Sequence, residues 1–376
     1  MNTHPLITWT EADAPHSALW RSERGTLPPK RVVIADDQMK ADAAYHLACE
    51  GTAMLWRGDF QNARQLLQAM ARRADRKPHK AAPTVDEVFN FYRQAQSQRA
   101  RILSMLLIPL ESDFGIPLRR APDLRQACHE AYGAGGEESV TALRELLGIV
   151  GAHEWRKKGV EIPTLGARIH PHYGVYSPVR GEYVELVAKA PLPSSTLAFD
   201  IGTGTGVLAA VLARRGVQRI VATDQDPRAL ACARENIQRL GLNKRVEVIQ
   251  ADLFPEGQAP LVVCNPPWIP ARPSSPLEHA VYDFESRMLL GFLNGLATHL
   301  TPEGEAWLIL SDLAEHLGLR TRDALLAVIS VAGLKILERI DVRPHHPRVA
   351  DTSDPLHAAR AAEVTSLWRL AIANQQ

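Results

Sequence analysis

From about residue 160 onwards, the chain alternates short apolar runs with longer stretches in which apolar residues recur at helical spacing. The runs predict buried strands, and the stretches between them predict covering helices. Strands are predicted at 196–200, 219–224, 246–250, 262–264, 305–310, 334–342 and 363–371, a turn at 301–304, and helices at 285–300 and 313–332. This alternation is typical of an α/β fold on a parallel sheet.

The pattern before residue 160 is different. Helical periodicity covers 41–73, 85–108, 122–132 and 137–150, and a short strand-like run stands at 31–34. Thr84 and Glu87 have the spacing of a capping box, which predicts that a helix begins at residue 85. We therefore predict two domains, a mostly helical one over 1–160 and an α/β one over 161–376.

Composition narrows the class of protein. The 376 residues are 45% hydrophobic and 23% charged with a formal net charge of +1, so no strong global field attracts nucleic acid. The four cysteines are scattered without a C-x-x-C pair, which favours reduced thiols over a disulfide framework or a zinc site. No signal peptide and no apolar run of membrane-spanning length are evident, so we expect a cytoplasmic protein without a membrane partner.

An acid and three glycines follow the first strand of the α/β part. Asp200 ends the run, and Gly202, Gly204 and Gly206 precede a helix of small residues. Glycine permits positive φ and lets the backbone approach a ligand closely, and a nucleotide-type loop requires this strand–turn–helix context. Val207 stands where the dinucleotide fingerprint would have its third glycine, so the spacing favours an adenosylmethionine site.

Further acids end the next two strands. Asp224 comes about 20 residues after the loop, where such folds place a carboxylate on the ribose hydroxyls. Asp252 could accept a hydrogen bond from an adenine amino group, with Leu253 covering the ring. Thr203 and Gln225 complete this part of the predicted cofactor site. A single aspartate in such a place is often a helix cap or turn residue, but four strand-end signals in order favour binding.

The fourth strand ends in Asn265-Pro266-Pro267-Trp268. Methylation of a planar amide or exocyclic amine is difficult, because the nitrogen lone pair is delocalised into the π-system. Hydrogen bonds from this nitrogen to the side-chain oxygen of Asn265 and the carbonyl of Pro266 would favour sp³ character as the methyl arrives. The prolines would make the loop rigid, and the indole would offer a face for stacking. These four residues are the predicted catalytic set.

Together these motifs resemble those of class I S-adenosylmethionine-dependent methyltransferases of the Asn-Pro-Pro-aromatic branch. The stretch 165–372 is similar to the glutamine N5-methyltransferases that modify release factors and a ribosomal protein, whose motif reads Asn-Pro-Pro-Tyr-Ile-Pro where this chain has Asn-Pro-Pro-Trp-Ile-Pro at 265–270. Residues 177–186 loosely match that family's Pro-Arg-Pro-Glu-Thr-Glu-x-Leu. Trp268 replaces the usual tyrosine, and the segment before the glycine loop is spaced differently.

The resemblance implies a Rossmann-like sheet of seven strands, the last antiparallel, and S-adenosyl-L-methionine as cofactor, with Asn265 contacting both cofactor and acceptor. It also implies a protein glutamine side chain as the acceptor. The same motif occurs in adenine-N6 and guanine-N2 methyltransferases, so RNA or DNA is the alternative partner. A small-molecule acceptor stays open, whereas a non-enzymatic binding scaffold would not need all of these residues.

Two further segments bear on the acceptor. Residues 57–80 contain seven Lys or Arg, at 57, 64, 72, 73, 76, 77 and 80, which we interpret as a solvated helix face in preference to an RNA footprint. The histidines and aspartates between 343 and 360 match no standard ligand spacing, so no metal site is predicted. We expect this loop to lie at the catalytic edge, and the domain over 1–160 to select the acceptor.

Overall fold

The computed structural model describes residues 5–76, 82–273, 278, 280–344 and 351–373. The chain forms two compact units. One consists of residues 1–82 and 90–154, and the other of residues 83–89 and 155–376. The part played by the first unit in acceptor recognition stays a prediction.

The first unit is built on a sheet of six strands in the order β1-β2-β6-β5-β4-β3. The neighbours β3, β4 and β5 are parallel, and β6 runs antiparallel to β5. The strands are β1 (Leu6–Glu11), β2 (Ala14–Arg21), β3 (Arg31–Ala35), β4 (Thr52–Trp56), β5 (Leu106–Leu110) and β6 (Ser139–Ala142). The helices over the same part of the chain are α1 (Ala41–Cys49), α2 (Phe60–Ala74), α3 (Val85–Leu103), α4 (Arg125–Tyr132) and α5 (Leu143–Lys158).

The sequence had indicated the helices of this unit and its strand β3, predicted at 31–34, but not the rest of its sheet. The helices predicted before residue 160 are present with shifted ends, whereas β4 interrupts the helical stretch predicted over 41–73 and β6 takes the start of the helix predicted over 137–150. Both strands are short and fully buried. The mostly apolar run of β4, buried on both faces, cannot be distinguished from part of a buried helix by its periodicity, which explains the error there. The strand β6 has only four residues, two of them polar, and gives no apolar run.

The second unit contains a two-stranded ribbon and the predicted sheet of seven strands. The strands are β7 (Val160–Ile162), β8 (Ala167–Ile169), β9 (Leu197–Ile201), β10 (Arg219–Asp224), β11 (Val246–Gln250), β12 (Ala259–Cys264), β13 (Leu300–Ser311), β14 (Leu334–Val342) and β15 (Thr365–Ile372). The helices are α6 (Glu182–Lys189), α7 (Val207–Arg214), α8 (Pro227–Arg239), α9 (Arg287–His299), α10 (Leu313–His316), α11 (Arg322–Val331) and α12 (His357–Ala362).

The order of the large sheet is β11-β10-β9-β12-β13-β15-β14. Neighbours from β11 to β13 are parallel, and β15 is antiparallel to both β13 and β14. The predicted Rossmann-like topology with an antiparallel last strand is therefore confirmed. Alternate residues of the central strands enter two apolar clusters, for example Val263 one and Val262 the other, because successive side chains of a strand point to opposite faces.

Two details of the second unit differ from the prediction. The helix expected over 313–332 is divided into α10 and α11, and Gly318, whose φ is +71°, lies between them. The turn expected at 301–304 forms part of the long strand β13. Across the residues that the structure describes, we find no helix with the length and apolar character needed to cross a membrane.

Candidate active site

The polar residues that end the parallel strands lie at one edge of the large sheet. Asp200 is in β9, the middle one of the five parallel strands, where it pairs in register with Ala222 of β10 and Val263 of β12. Asn265 follows β12 directly, and Asp224 is the last residue of β10. Parallel strands present their carboxyl ends on the same edge, and open α/β sheets bind their ligands there.

The glycine loop between β9 and α7 adopts backbone conformations that favour glycine. The φ angles of Gly202, Gly204 and Gly206 are +70°, +54° and +80°. A Cβ atom on Gly202 would lie 2.4 Å from Cε of Met288, and one on Gly206 would lie 3.3 Å from Cα of Ala233. At Gly204 no atom of the described chain lies within 4 Å of that position. Gly204 is thus the glycine whose backbone is open to a ligand.

Asp200 connects this loop to the sheet. Its Oδ2 accepts a 2.6 Å hydrogen bond from the hydroxyl of Thr203 and a 3.1 Å bond from the N–H of Ala209. The side chain is almost fully buried, with 1% exposed. Burial raises the pKa of Asp200 to about 6, against the effect of these two hydrogen bonds, which favour the ionised form.

Asp224 also contacts the loop. Its Oδ2 accepts a 3.0 Å hydrogen bond from the N–H of Gly204, and its Oδ1 accepts one of 3.0 Å from the N–H of Asp226. Burial raises the pKa of Asp224. An ionised carboxylate has about four acceptor sites, so these two bonds leave room for the ribose hydroxyls that the sequence assigned to Asp224.

The other predicted cofactor residues lie nearby with different exposure. Asp252 and Gln225 are exposed. Leu253 has a φ of +69°, and its Cδ1 lies 2.7 Å from where a Cβ on Gly291 of α9 would be. Its carbonyl accepts a 2.5 Å hydrogen bond from the hydroxyl of Thr223. Leu253 therefore packs against α9, and its predicted contact with an adenine ring stays a prediction.

The Asn-Pro-Pro-Trp loop contains an internal hydrogen bond that the sequence did not reveal. Nε1 of Trp268 lies 2.9 Å from Oδ1 of Asn265. The indole nitrogen is only a donor, so the amide group of Asn265 must present its oxygen to Trp268. A carbonyl oxygen has two lone pairs, and one of them remains for an acceptor nitrogen. Trp268 thereby fixes the orientation of the side chain that was predicted to hold the reacting nitrogen.

The ring of Trp268 is less accessible than expected. The side chain is partly buried and packs against both apolar clusters of the sheet. The guanidinium carbon of Arg180 lies 5.0 Å from the ring centroid, over its face. A stacked acceptor would have to use what remains of the ring surface, so the predicted stacking on Trp268 stays a prediction.

Comparison with known proteins gives the family. The model of the ribosomal protein L11 methyltransferase (PrmA) family matches residues 185–282. A ribosomal protein L11 methyltransferase of Pelotomaculum thermopropionicum is 44% identical over 22% of this chain and 27% of its own length. A release factor glutamine methyltransferase of Cereibacter sphaeroides is 31% identical over 48% of this chain and 65% of its own length. A tRNA1(Val) (adenine(37)-N6)-methyltransferase of Shewanella amazonensis is 30% identical over 45% of this chain and 73% of its own length.

The chain belongs to the class I S-adenosylmethionine-dependent methyltransferases. It spans less than two thirds of the length of the first two relatives, 27% and 65% respectively. The match to the methyltransferase relatives confirms the predicted family.

The methyltransferase loop is attached to a segment that was not expected to take part in the site. Ile269 forms an isolated bridge with Tyr282, and its carbonyl accepts a 2.9 Å hydrogen bond from the N–H of Asp283. The carboxylate of Asp283 accepts 3.0 Å bonds from the N–H groups of Met288 and Leu289 at the start of α9. The sequence carries no capping signal for this arrangement, because a kink separates Asp283 from the helix.

His170 and His172, which precede the glycine loop of the methyltransferase, make contacts with neighbouring residues. Nε2 of His172 lies 2.7 Å from Glu235, and Nδ1 of His170 lies 2.7 Å from the carbonyl of Arg156. Of the loop at 343–360, residues 345–350 lie outside the described part, including both of its adjacent histidines. Among the residues that are described, no three His, Cys, Asp or Glu side chains form a cluster suited to a metal ion.

The substitution Asp200→Asn should make stability depend less on pH. The folded pKa of about 6 lies above the ordinary value of 3.8, so the stabilising contribution of Asp200 is complete below 3.8 and is lost as pH rises through 6. The unfolding free energy of the variant minus that of the wild type should therefore increase by about 1 kcal/mol between pH 5 and pH 7. Urea denaturation of both proteins at the two pH values measures this difference in unfolding free energy. A difference that does not change with pH would contradict the raised pKa of Asp200.

Proposed function

We propose that this methyltransferase transfers a methyl group from S-adenosyl-L-methionine to a planar amide or amino nitrogen, with a protein glutamine side chain as the acceptor. The observation that carries the proposal is the fixed side chain of Asn265 at the end of β12. Its oxygen is held by the Trp268 indole at 2.9 Å and keeps one lone pair for a donor. Asn265 follows β12, and the neighbouring strand β9 leads into the glycine loop.

The chemistry asks little of the protein beyond positioning. The cofactor, when bound, supplies an electrophilic methyl group on a sulfonium. Asn265 and the carbonyl of Pro266 hold the two N–H groups of the acceptor, which favours a pyramidal nitrogen with an available lone pair. As the N–CH3 bond forms, the S–CH3 bond of the sulfonium breaks and a neutral thioether is left. The same oxygens stabilise the positive charge on the nitrogen until the nitrogen releases its proton to water. Pro266 and Pro267 restrict the loop, so little reorganisation is needed.

The residues at the edge fit the proposed cofactor. Gly204 leaves open space beside its backbone, which a side chain would fill. Asp224 keeps free acceptor capacity for vicinal hydroxyls, and the acids of β9 and β10 favour a ligand with cationic groups. We assign cofactor binding to Asp200, Gly202, Thr203, Gly204, Gly206, Asp224, Gln225, Asp252, Leu253 and Asn265.

The glutamine acceptor is supported by the state of the basic segment in the first unit. Arg57 forms a 2.6 Å ion pair with Glu11, and Arg73 forms one of 2.6 Å with Asp42. Cations already paired with carboxylates contribute less to binding a phosphate backbone. Lys77 and Lys80 of the same segment lie outside the described residues. The named acceptors of the relatives are components of translation, so the proposal requires action in the cytoplasm.

The second candidate is methylation of an adenine amino group in RNA. It is favoured by the tRNA1(Val) adenine-N6 relative, which the chain matches over 73% of that protein's length. An exocyclic adenine amine presents the same planar nitrogen with two N–H groups to Asn265. A base removed from its stack would also require a surface for stacking, for which Trp268 has only part of its ring free.

Replacement of Gly204 by alanine tests the cofactor site. Gly204→Ala should weaken S-adenosylmethionine binding at least about 10-fold, because the new Cβ enters the space assigned to the ligand. Gly216→Ala is the matched control, since Gly216 also has a positive φ of +98° and open space around the added atom. Calorimetry on both folded variants separates backbone strain from lost binding. Equal affinities in the two variants would remove Gly204 from the site.

Replacement of Asn265 tests the proposed chemistry. Asn265→Ala should reduce kcat by on the order of 100-fold or more while cofactor affinity changes little, because its main interaction is with the reacting nitrogen. Asn265→Asp keeps an acceptor oxygen for the indole and should retain part of the activity. Single-turnover rates with labelled cofactor measure both variants, and a wild-type rate for Asn265→Ala would show that the mechanism is wrong.

The acceptor can be identified with a labelled cofactor in cell extract. We expect the radioactive product to be destroyed by protease and to survive ribonuclease, and its complete enzymatic digest to contain N5-methylglutamine. Loss of the label with ribonuclease would favour the adenine candidate instead. Wild-type enzyme and Asn265→Ala are run in parallel, so that labelling independent of this site can be subtracted.

A further inference from the structure

Arg180 lies close to the proposed catalytic loop, although it has no part in the proposed methyl transfer. It belongs to the segment that precedes α6, and its guanidinium group covers one face of Trp268 with a separation of 5.0 Å between Cζ and the ring centroid. This distance is within the range of a cation–π interaction. The contact joins a segment before the glycine loop to a residue after β12.

Two acids hold the guanidinium group in place. Nε of Arg180 donates to Glu182 at 2.7 Å, and Nη2 donates to Glu363 at 3.0 Å. Glu363 also accepts a 2.7 Å hydrogen bond from the hydroxyl of Ser311 at the end of β13. The side chains of Arg180, Glu182 and Glu363 are only 18%, 9% and 0% exposed. Burial opposes the charge, but the two carboxylates outweigh it and raise the pKa of Arg180.

The contacts form a continuous chain from the sheet to the proposed catalytic amide. Glu363, just before β15, fixes Arg180, whose guanidinium lies over Trp268, and the indole N–H of that residue holds Asn265 at 2.9 Å. An indole can keep this hydrogen bond only while its ring plane stays in one orientation. The guanidinium over one face, opposed by the apolar packing of the ring, restricts that orientation.

We propose that Arg180, anchored by Glu363, is a positioning residue that holds the Trp268 ring so that its indole N–H orients the acceptor oxygen of Asn265. The inference rests on the proposed function for its effect on turnover, but the coupling between Arg180 and the indole N–H exists without a substrate. A purely structural arginine would contribute to stability and leave both the indole signal and kcat of the folded enzyme unchanged.

The coupling can be measured directly by NMR of protein with 15N-labelled tryptophan. The chain has seven tryptophans, and Trp268→Phe identifies the Trp268 signal by its loss. In Arg180→Gln, the Trp268 indole signal should shift and its proton should exchange faster with water. Arg339→Gln is the matched control, since Arg339 lies 5.3 Å from the Trp368 centroid and pairs with Asp341. It should leave the Trp268 signal unchanged.

Turnover provides the second measurement. Arg180→Gln should lower kcat on the order of 10-fold, with the cofactor dissociation constant changed by less than about 2-fold. Arg180→Lys keeps the charge but loses the planar group, and should recover only part of the rate. In a Trp268→Phe background, which has no indole N–H, adding Arg180→Gln should lower kcat by less than about 2-fold further, because the link is already broken.

Glu363→Gln removes only the charge that anchors Arg180. It replaces the Arg180 variants in both measurements if those variants do not fold. An unchanged Trp268 indole signal in folded Arg180→Gln or Glu363→Gln would overturn the proposal, as would a wild-type kcat. Additive losses in the double variant would also overturn it. Failure of the wild type to methylate any amide or amine would instead refute the proposed function, while the indole measurement would still decide the role of Arg180.

Discussion

A buried carboxylate in the middle of a parallel sheet is the constraint on which the site depends. Asp200 has strands on both sides and is almost completely removed from water, so its oxygens must be satisfied by the protein. It accepts hydrogen bonds from the hydroxyl of Thr203 and the N–H of Ala209. These two bonds join the glycine loop and the first turn of α7 to β9. The N–H groups of Thr203 and Gly204 bond to Thr223 and Asp224, so the loop is joined to β10 as well.

The sequence was most informative where its physical signals were local. Parallel strands buried on both faces are continuous apolar runs, and each ends where a polar side chain reaches the sheet edge. For this reason Asp200, Asp224 and Asn265 could be assigned to strand ends, and the structure brings those strand ends to one edge. The strand predicted over 334–342 has the same ends as β14, because Gly333 and the loop after residue 342 delimit it.

Interactions between distant residues could not be predicted. Arg180 and Glu363 are 183 positions apart, and no pattern along the chain relates them. The bond between Trp268 and Asn265 spans three residues, but it depends on the orientation of a ring that Arg180 covers. The sheet of the first unit was missed for a different reason. Its strands are only four to eight residues long, and the first half of β2 is exposed, so these strands give no long apolar run of the kind that marks the second unit.

The donor-only indole beside Asn265 bears on how the proposed site would distinguish an intact acceptor from its deaminated product. Glutamine and adenine both lose ammonia slowly, and each deaminated product carries an oxygen where the nitrogen stood. Because the side-chain oxygen of Asn265 is turned towards Trp268, its second lone pair can only accept a hydrogen bond, and the acceptor molecule must supply the N–H donor. A glutamate or hypoxanthine oxygen at that place would face another oxygen without a proton between them. Because the deaminated product has no nitrogen to methylate, such repulsion would act on binding alone: it would keep the product from occupying the proposed site in place of an intact acceptor.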